Sequence, residues 1–495
     1  MAIQAQVVGS TGAPPAVRGV YETGPSDPHP AVPKGAATLA AVPDSSTPHS
    51  TWLNSDRGVP ARFVRPLLRF TRIESASGLV LLIAAAVALF WANAPFGDTY
   101  ERFWNTPIEI TVGSLHLEET LRLIVNDGLM AIFFFVVGLE IKRELVTGDL
   151  RAPRAAALPA IAALGGMVAP ALIYVAFTRG TPAVEGWGIP MATDIAFALG
   201  VVALLGSRVP LGGRLFLLAL AIIDDIGAIL VIALFYTDEL ALGYLLASVG
   251  GLAAIWLAGR AGIRSLTFYV PAALATWFFL LESGVHATLA GVAIGLLTPA
   301  RAMYADREYR DKSRRILDHY EQDTYAAHGE ERVDEAALAL SAIARESVPP
   351  LDRVEQALHP WSSFVVVPIF AIANAGVDFG GVNLLDAATD RVALAVGIGL
   401  LGGKLLGITL FAWLAVRLRL GVLPPTVRWG HVVGLALVAG IGFTVSLFIT
   451  GLSFADAATA DLAKTGIFLG SAIAGILGYL VLRAVPAAPA AAPDE

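Results

Sequence analysis

The chain is 495 residues long, 56% hydrophobic and 15% charged, with a mean hydropathy of +0.67 and a formal net charge of -7. Against roughly 25% charged residues in a typical soluble domain, that deficit, spread over most of the middle of the chain, describes a polytopic membrane protein with no sign of a nucleic-acid partner. The absence of cysteine excludes a disulfide, a thiolate metal site and a thiol nucleophile, and leaves the redox compartment open.

In chain order, the first 60 residues are rich in Pro, Ala, Ser, Thr and Gly without helical periodicity, so residues 1–66 are expected to form a disordered tail. The opening MAIQAQVVGSTGAPPA lacks the basic start of a secretory signal. Arg57, Arg62, Arg65, Arg69 and Arg72 precede a first span at Ser75 to Ala92 and place the N-terminus in the cytoplasm. IEITVGSLHLEE then alternates apolar and polar residues around Gly113-Ser114, which fits a small outward hairpin as well as an irregular loop. A second span runs from Gly128 to Leu139, flanked by Asp127, and a third from Ala155 to Phe177. The fourth begins near Gly186 and ends at Arg208 and Arg214. The fifth, from Leu215 to Phe235, leaves at Asp238 and Glu239. Further spans at Leu240 to Leu257 and Leu266 to Leu281, and one containing GVHATLAGVAIGLL, complete eight within residues 67–301.

Residues 302–350 are densely charged with both signs, and predict a solvated cytoplasmic insert, partly helical through ERVDEAALALSAIA. Four more spans fall within 351–484, at Trp361 to Val377, Val392 to Val416, Val432 to Phe454 and Ala463 to Leu482, followed by a tail over 485–495. The expected fold is therefore an all-α bundle of twelve transmembrane helices with both termini inside. Arg179, Arg391 and Lys464 are the isolated exceptions to the basic-residue bias.

Charge at depth marks the candidate site. Asp194 lies in the fourth span, Asp224 and Asp225 in the fifth and Lys404 in the tenth. Ionisable groups in hydrocarbon are costly unless paired and by default mark an ion or proton path, so Lys404 should lie near one of these acids. It stands too far from the inner end at Arg417 to snorkel. Adjacent helical residues point about 100° apart. One of the two aspartates can thus face a funnel while its neighbour faces another helix.

Helix breakers give a second signal. Gly186, Gly188 and Pro190 precede Thr193-Asp194 in the fourth span, and GIGFT places Gly440 and Gly442 in mid-eleventh. Counted as two halves, helices 3–5 match helices 10–12 in opposite orientation, with the interrupted helix second in each triple. Corresponding interruptions point to a transporter site built on inverted repeats. Broken helices leave positive N-termini and negative C-termini at the midplane, which Asp194 and Lys404 respectively could neutralise. Bland alternatives exist: Thr193 can bond its own backbone, His286 can simply pack, and Asn374 can bridge helices. An enzymatic reading is also open, with Asp194 and Asp225 as a proteolytic dyad, although the GxGD pattern of intramembrane aspartyl proteases is absent. A symporter on the same scaffold is a further rival.

MATDIAFALGVVALLGSRVP, LALAIIDDIGAI, SGVHATLAG, GGKLLGI, AGIGFT and NDGLMAIFFFVVGLEIKREL together resemble signature segments of the NhaA family of sodium/proton antiporters, over roughly residues 66–484 less the insert. The resemblance implies an inverted-repeat core, a homodimer to which the outward hairpin contributes, no cofactor, and residence in the plasma or cell inner membrane. It also implies electrogenic exchange of cytoplasmic Na+ or Li+ for H+, rising at alkaline pH. By position, Asp225 would be the main cation and proton carboxylate. Asp224 would be its essential partner and a second Na+ ligand, pairing with Lys404 in one state, and Thr193 and Asp194 would lie close to the cation. Glu140, Arg143, Glu144, Glu355 and His359 would form a pH-responsive entrance. The insert and the long N-terminal tail depart from the family pattern.

Overall fold

The computed structural model describes residues 74–112, 115–237, 240–323, 329–378, 384–424 and 426–486. The N-terminal tail with its arginines, the turn at Gly113-Ser114, the outward acids Asp238 and Glu239, and all of the C-terminal tail beyond 486 lie outside the described residues.

The chain enters the bundle through α1 (Glu74–Asn93). After a short helix, β1 (Pro107–Val112) pairs antiparallel with β2 (Leu115–Thr120), with Pro107 opposite Thr120 and Val112 opposite Leu115, so the hairpin reading holds over the loop reading. The second span starts earlier than expected, at Leu121, where the Thr120 hydroxyl caps it by accepting from the Leu123 amide. It passes through a π-helical turn, Ile124–Leu129, into α2 (Met130–Val146), which draws Asp127 into the span rather than leaving it at the flank.

Next come α3 (Pro153–Thr178), α4 (Ile195–Leu205), α5 (Leu211–Phe235) and α6 (Leu242–Arg260). They are followed by α7 (Leu266–Leu281) and α8 (Thr288–Leu297). The second half of the chain holds α9 (Asp306–Asp323), α10 (Gly329–Glu346), α11 (Pro350–Trp361), α12 (Val367–Asn374), α13 (Arg391–Ile398) and α14 (Lys404–Arg417). It ends with α15 (Trp429–Val438), α16 (Phe443–Ser453) and α17 (Ala457–Ala484).

Among the described residues, eight helices are long and apolar enough to cross a membrane, and two bent pairs raise the count to as many as ten. The pairs are Pro182–Met191 with Ile195–Arg208, bent by 41°, and α15 with α16, bent by 46°. This is fewer than the twelve spans expected. The difference is α7 and α8, apolar helices of 16 and 10 residues, below the ~20 that a span needs. His286, expected within the eighth span, precedes α8 instead of lying in it.

The first half of the fourth span also departs from expectation. Pro182–Met191 is a 3-10 helix kinked at Gly186, not an α-helix. Pro190 has no amide hydrogen to give, and side chains from elsewhere serve the segment's carbonyls. Tyr174 donates to Ala183 O at 2.8 Å, Tyr236 to Glu185 O at 2.8 Å and Ser446 to Ile189 O at 2.6 Å. Without them, each carbonyl would cost several kcal/mol at membrane depth.

Small residues let helices approach closely. Where α3 crosses α14, a Cβ on Gly407 would lie 2.0 Å from the Gly165 carbonyl oxygen, so only glycine fits. This contact fixes the register of α14 one turn from Lys404. The charged insert is more helical than the sequence pattern implied, since α9 lies in a stretch with no expected helix and packs against α10. Its Arg, Lys and Glu residues are good helix formers, and Glu308 and Lys312 pair at i,i+4, 3.3 Å apart. An Arg264–Glu346 ion pair ties the insert to the bundle, and Met303 N donating to Glu346 O at 2.9 Å closes the two ends of the insert on each other.

Candidate functional site

The two broken spans meet at their breaks. Asp194 caps α4, its Oδ1 accepting from the Phe197 amide at 3.2 Å. Its Oδ2 accepts from the Thr444 amide at 3.0 Å and from the Thr444 hydroxyl, both at the first turn of α16. One carboxylate therefore answers two helix N-termini. In return, the Asp194 amide donates to Ile441 O at 2.6 Å, and the Thr193 hydroxyl lies 2.8 Å from Ala439 O, the C-cap of α15. The unsatisfied backbone groups that a break leaves are exchanged between the two breaks.

Asp224 and Asp225 follow on α5, one turn-step apart and differently placed. Asp224 and Lys404 have no exposed surface, and Lys404 Nζ donates to Asp224 Oδ2 at 2.6 Å. Nζ also donates to Thr193 Oγ1 at 3.1 Å, and that hydroxyl lies 2.7 Å from Asp224 Oδ2. With a single hydroxyl hydrogen, Thr193 serves either Ala439 O or Asp224 at one time. Among the described residues Lys404 thus donates to no half-helix carbonyl itself. Its charge reaches the C-terminus of α15 only through Thr193, because Asp224 is the stronger partner.

Asp225 makes no hydrogen bond or ion pair among the described residues. It lines a cavity of about 140 Å³ whose polar lining includes Glu140, Thr193, Asp194, His359 and Thr444 besides Asp225, with Ser77, Ser362 and Ser363. Asp224 is absent from that wall. In this conformation Asp224 is sealed beneath Lys404 and Thr193. No group of three or more His, Cys, Asp or Glu side chains among the described residues is arranged to hold a metal ion.

Of the five expected entrance residues, Glu140 and His359 are on the wall of this cavity. Glu140 Oε1 lies 4.0 Å from His359 Nε2, a contact that is ionic only when the imidazole is protonated. Arg143, one turn further along α2, forms an ion pair with the buried Glu355 of α11. Glu144 lies against the backbone at Gly148 rather than on the cavity wall.

Thr444, in the GIGFT segment, is a site residue that the sequence pattern does not single out; a hydroxyl two residues after Gly442, the second glycine of the break, is the available signal. His431, just ahead of the expected eleventh span, is a fully buried imidazole whose Nδ1 accepts from the Arg428 amide at 3.0 Å. Asn374 bridges helices, donating to Asn126 Oδ1 at 2.8 Å.

Comparison with known proteins adds independent information. A family model described as Na+/H+ antiporter 1 matches residues 68–482. The Na(+)/H(+) antiporter NhaA 2 of Sorangium cellulosum is 47% identical over 453 residues, 90% of this chain and 96% of its own length. The Na(+)/H(+) antiporter NhaA of Rhodopirellula baltica is 46% identical, covering 86% of this chain and 95% of its own. That of Anaeromyxobacter sp. is 48% identical, covering 86% and 93%.

Proposed function

The chain belongs to the NhaA family of sodium/proton antiporters, which are transporters and not enzymes, and on that premise we propose that it exchanges cytoplasmic Na+, or Li+, for external H+ by competition at Asp225. The dyad reading of Asp194 and Asp225 falls with the family assignment.

One observation carries the reading: of the two adjacent aspartates, Asp224 is committed to Lys404 while Asp225 lines a largely apolar cavity with a few polar groups on its wall and has no hydrogen-bond or ion-pair partner among the described residues. A carboxylate holding a proton cannot hold sodium, and the reverse. Hard oxygen donors suit a hard cation, and Thr193, Asp194 and Thr444 stand on the same wall. Glu140 and His359 lie at the cytoplasmic mouth, with Arg143 and Glu355 behind them, where protonation alters the charge that an arriving cation meets. In this reading Glu144 tunes that mouth from outside the cavity wall.

The crossing breaks, α5 and α14 rock as one body against α1, α2, α11 and α12, exposing Asp225 to one side at a time. The two apolar helices α7 and α8 complete twelve spans, helices 3–5 and 10–12 form the inverted repeats, and both termini lie in the cytoplasm. Exchange is electrogenic and rises at alkaline pH as protons leave the shared site. A homodimer forms with the β1–β2 hairpin in its contact.

Everted vesicles carrying a preformed proton gradient test the proposal. Sodium collapses the gradient with the wild type and leaves it intact with Asp225→Asn. Equal collapse by both proteins removes Asp225 from the mechanism, and acidification in the opposite sense establishes symport instead.

A further inference from the structure

A second cavity, about 550 Å³, opens between α1, α4 and α17. Its walls are apolar, and Leu82, Leu204, Ile476 and Leu480 on its rim are each more than half exposed. At membrane depth such a slot is filled by hydrocarbon. Its floor includes Ile441 and Phe443, which flank Gly442, and the Gly442 amide donates to Ser471 Oγ at 3.3 Å. Whatever fills the slot leans on the break between α15 and α16.

Along α17 the lining recurs from Phe468 to Leu480, a run of roughly 18 Å at the helical rise. That is close to the ~15 Å hydrocarbon depth of one leaflet. The stripe is amphipathic in its direction. The next residue on it is Arg483, and the α4 wall ends at Leu204, one turn before Arg208. Arg208 Nη1 donates to Arg483 O at 3.0 Å, which brings the two arginines together at the foot of the slot. Arg428 joins the same corner, since Gly430 of α15 packs against Val485 just beyond Arg483. All three arginines are exposed, and none is paired with a carboxylate among the described residues.

We propose that this slot is a binding site for a phospholipid with a net-negative headgroup, its acyl chain in the cavity and its phosphate on Arg208, Arg428 and Arg483. A zwitterionic lipid can occupy the apolar part but leaves three cations without an excess negative charge to meet. An anionic one satisfies both ends, and a bound chain steadies the break that crosses at Asp194. That the arginine end faces the cytoplasm rests on the topology proposed above; the binding itself does not.

The test uses the full chain, purified in detergent and stripped of lipid. Native mass spectrometry measures retention of phosphatidylglycerol against phosphatidylcholine at equal concentration, with inorganic phosphate as the control for a free anion. The wild type is expected to retain phosphatidylglycerol about tenfold better, and the combined Arg208→Gln, Arg428→Gln, Arg483→Gln variant to lose that preference. Ala472→Trp, which fills the slot and leaves the arginines in place, should lower retention of both lipids. Parity in the wild type, a preference that survives the triple substitution, retention unchanged by Ala472→Trp, or displacement of the lipid by phosphate alone would each overturn the site. Because retention is read without transport, a protein that selects the anionic lipid but fails to exchange sodium for protons would sink the antiport reading and leave this one standing.

Discussion

Replacing Lys404 by methionine isolates the charge of the buried pair, because methionine keeps most of the lysine stem and the packing against α3. Asp224 Oδ2 would lose its 2.6 Å partner, and Asp224 Oδ1 already has no hydrogen-bond partner among the described residues. Only the Thr193 hydroxyl would remain. Breaking one half of a buried ion pair typically costs ~3–5 kcal/mol, whereas replacing both halves by neutral groups is often neutral or stabilising. The expected drop in the thermal midpoint of the detergent-solubilised protein is roughly 5–10 °C for Lys404→Met. The double variant Lys404→Met, Asp224→Asn should recover more than half of it. A double-mutant cycle on these midpoints measures the coupling. If the single and double variants melt together, the two charges do not depend on each other, and the assignment of Asp224 as the committed partner is wrong.

Thr444→Val removes one of the two donors that Thr444 gives to Asp194 Oδ2 and leaves the amide. Hydrogen bonds to charged groups contribute ~1.5–3 kcal/mol, so the variant should melt earlier and bind sodium more weakly, and Thr444→Ser should restore both; failure of serine to rescue would point to packing instead. The dependence of sodium transport on pH follows from shared occupancy. On the acid side of the titration, the deprotonated fraction of the site falls tenfold per pH unit, so the apparent KM for Na+ should rise about tenfold for each unit of acidification while the saturated rate changes less. A KM that stays flat across that range rules out competition at one carboxylate.

How much of this was legible in the sequence divides along physical lines. Interrupted helices announce themselves locally, since Gly186, Pro190, Gly440 and Gly442 are poor helix residues wherever they occur. The structure has bends of 41° and 46° at those places. Buried charge is equally local, because Asp224 and Lys404 stand out against their own apolar runs. The partner of each charge is not local. Asp194 meets Thr444 across 250 positions and Lys404 meets Asp224 across 180, and nothing in either segment alone names the other. The π-helical turn at Ile124–Leu129 was also hidden. One extra residue per turn leaves the composition unchanged and alters only which face Asp127 occupies. Helix α9 is not legible in the insert because charge density marks solvent exposure, whereas its helicity depends on i,i+4 pairing within it.

Charge accounting at the crossing explains why Asp225 rather than its neighbour is the exchangeable group. Lys404 and Asp224 cancel. Each helix N-terminus carries about +0.5 of an elementary charge, so the ends of α4 and α16 together roughly balance Asp194, which accepts from both. Asp225 alone is left uncompensated, in a cavity too small to hydrate it as bulk water would. A carboxylate so placed needs a cation or a proton in every state that the protein visits. Neutralising it by Asp225→Asn should therefore leave the thermal midpoint in sodium-free buffer no lower than that of the wild type, even as exchange is abolished. Sodium should raise the wild-type midpoint at alkaline pH, through binding to the folded state alone, and leave the variant unmoved. A sodium-dependent rise of equal size in Asp225→Asn would locate the cation elsewhere in the crossing and break the balance argued here.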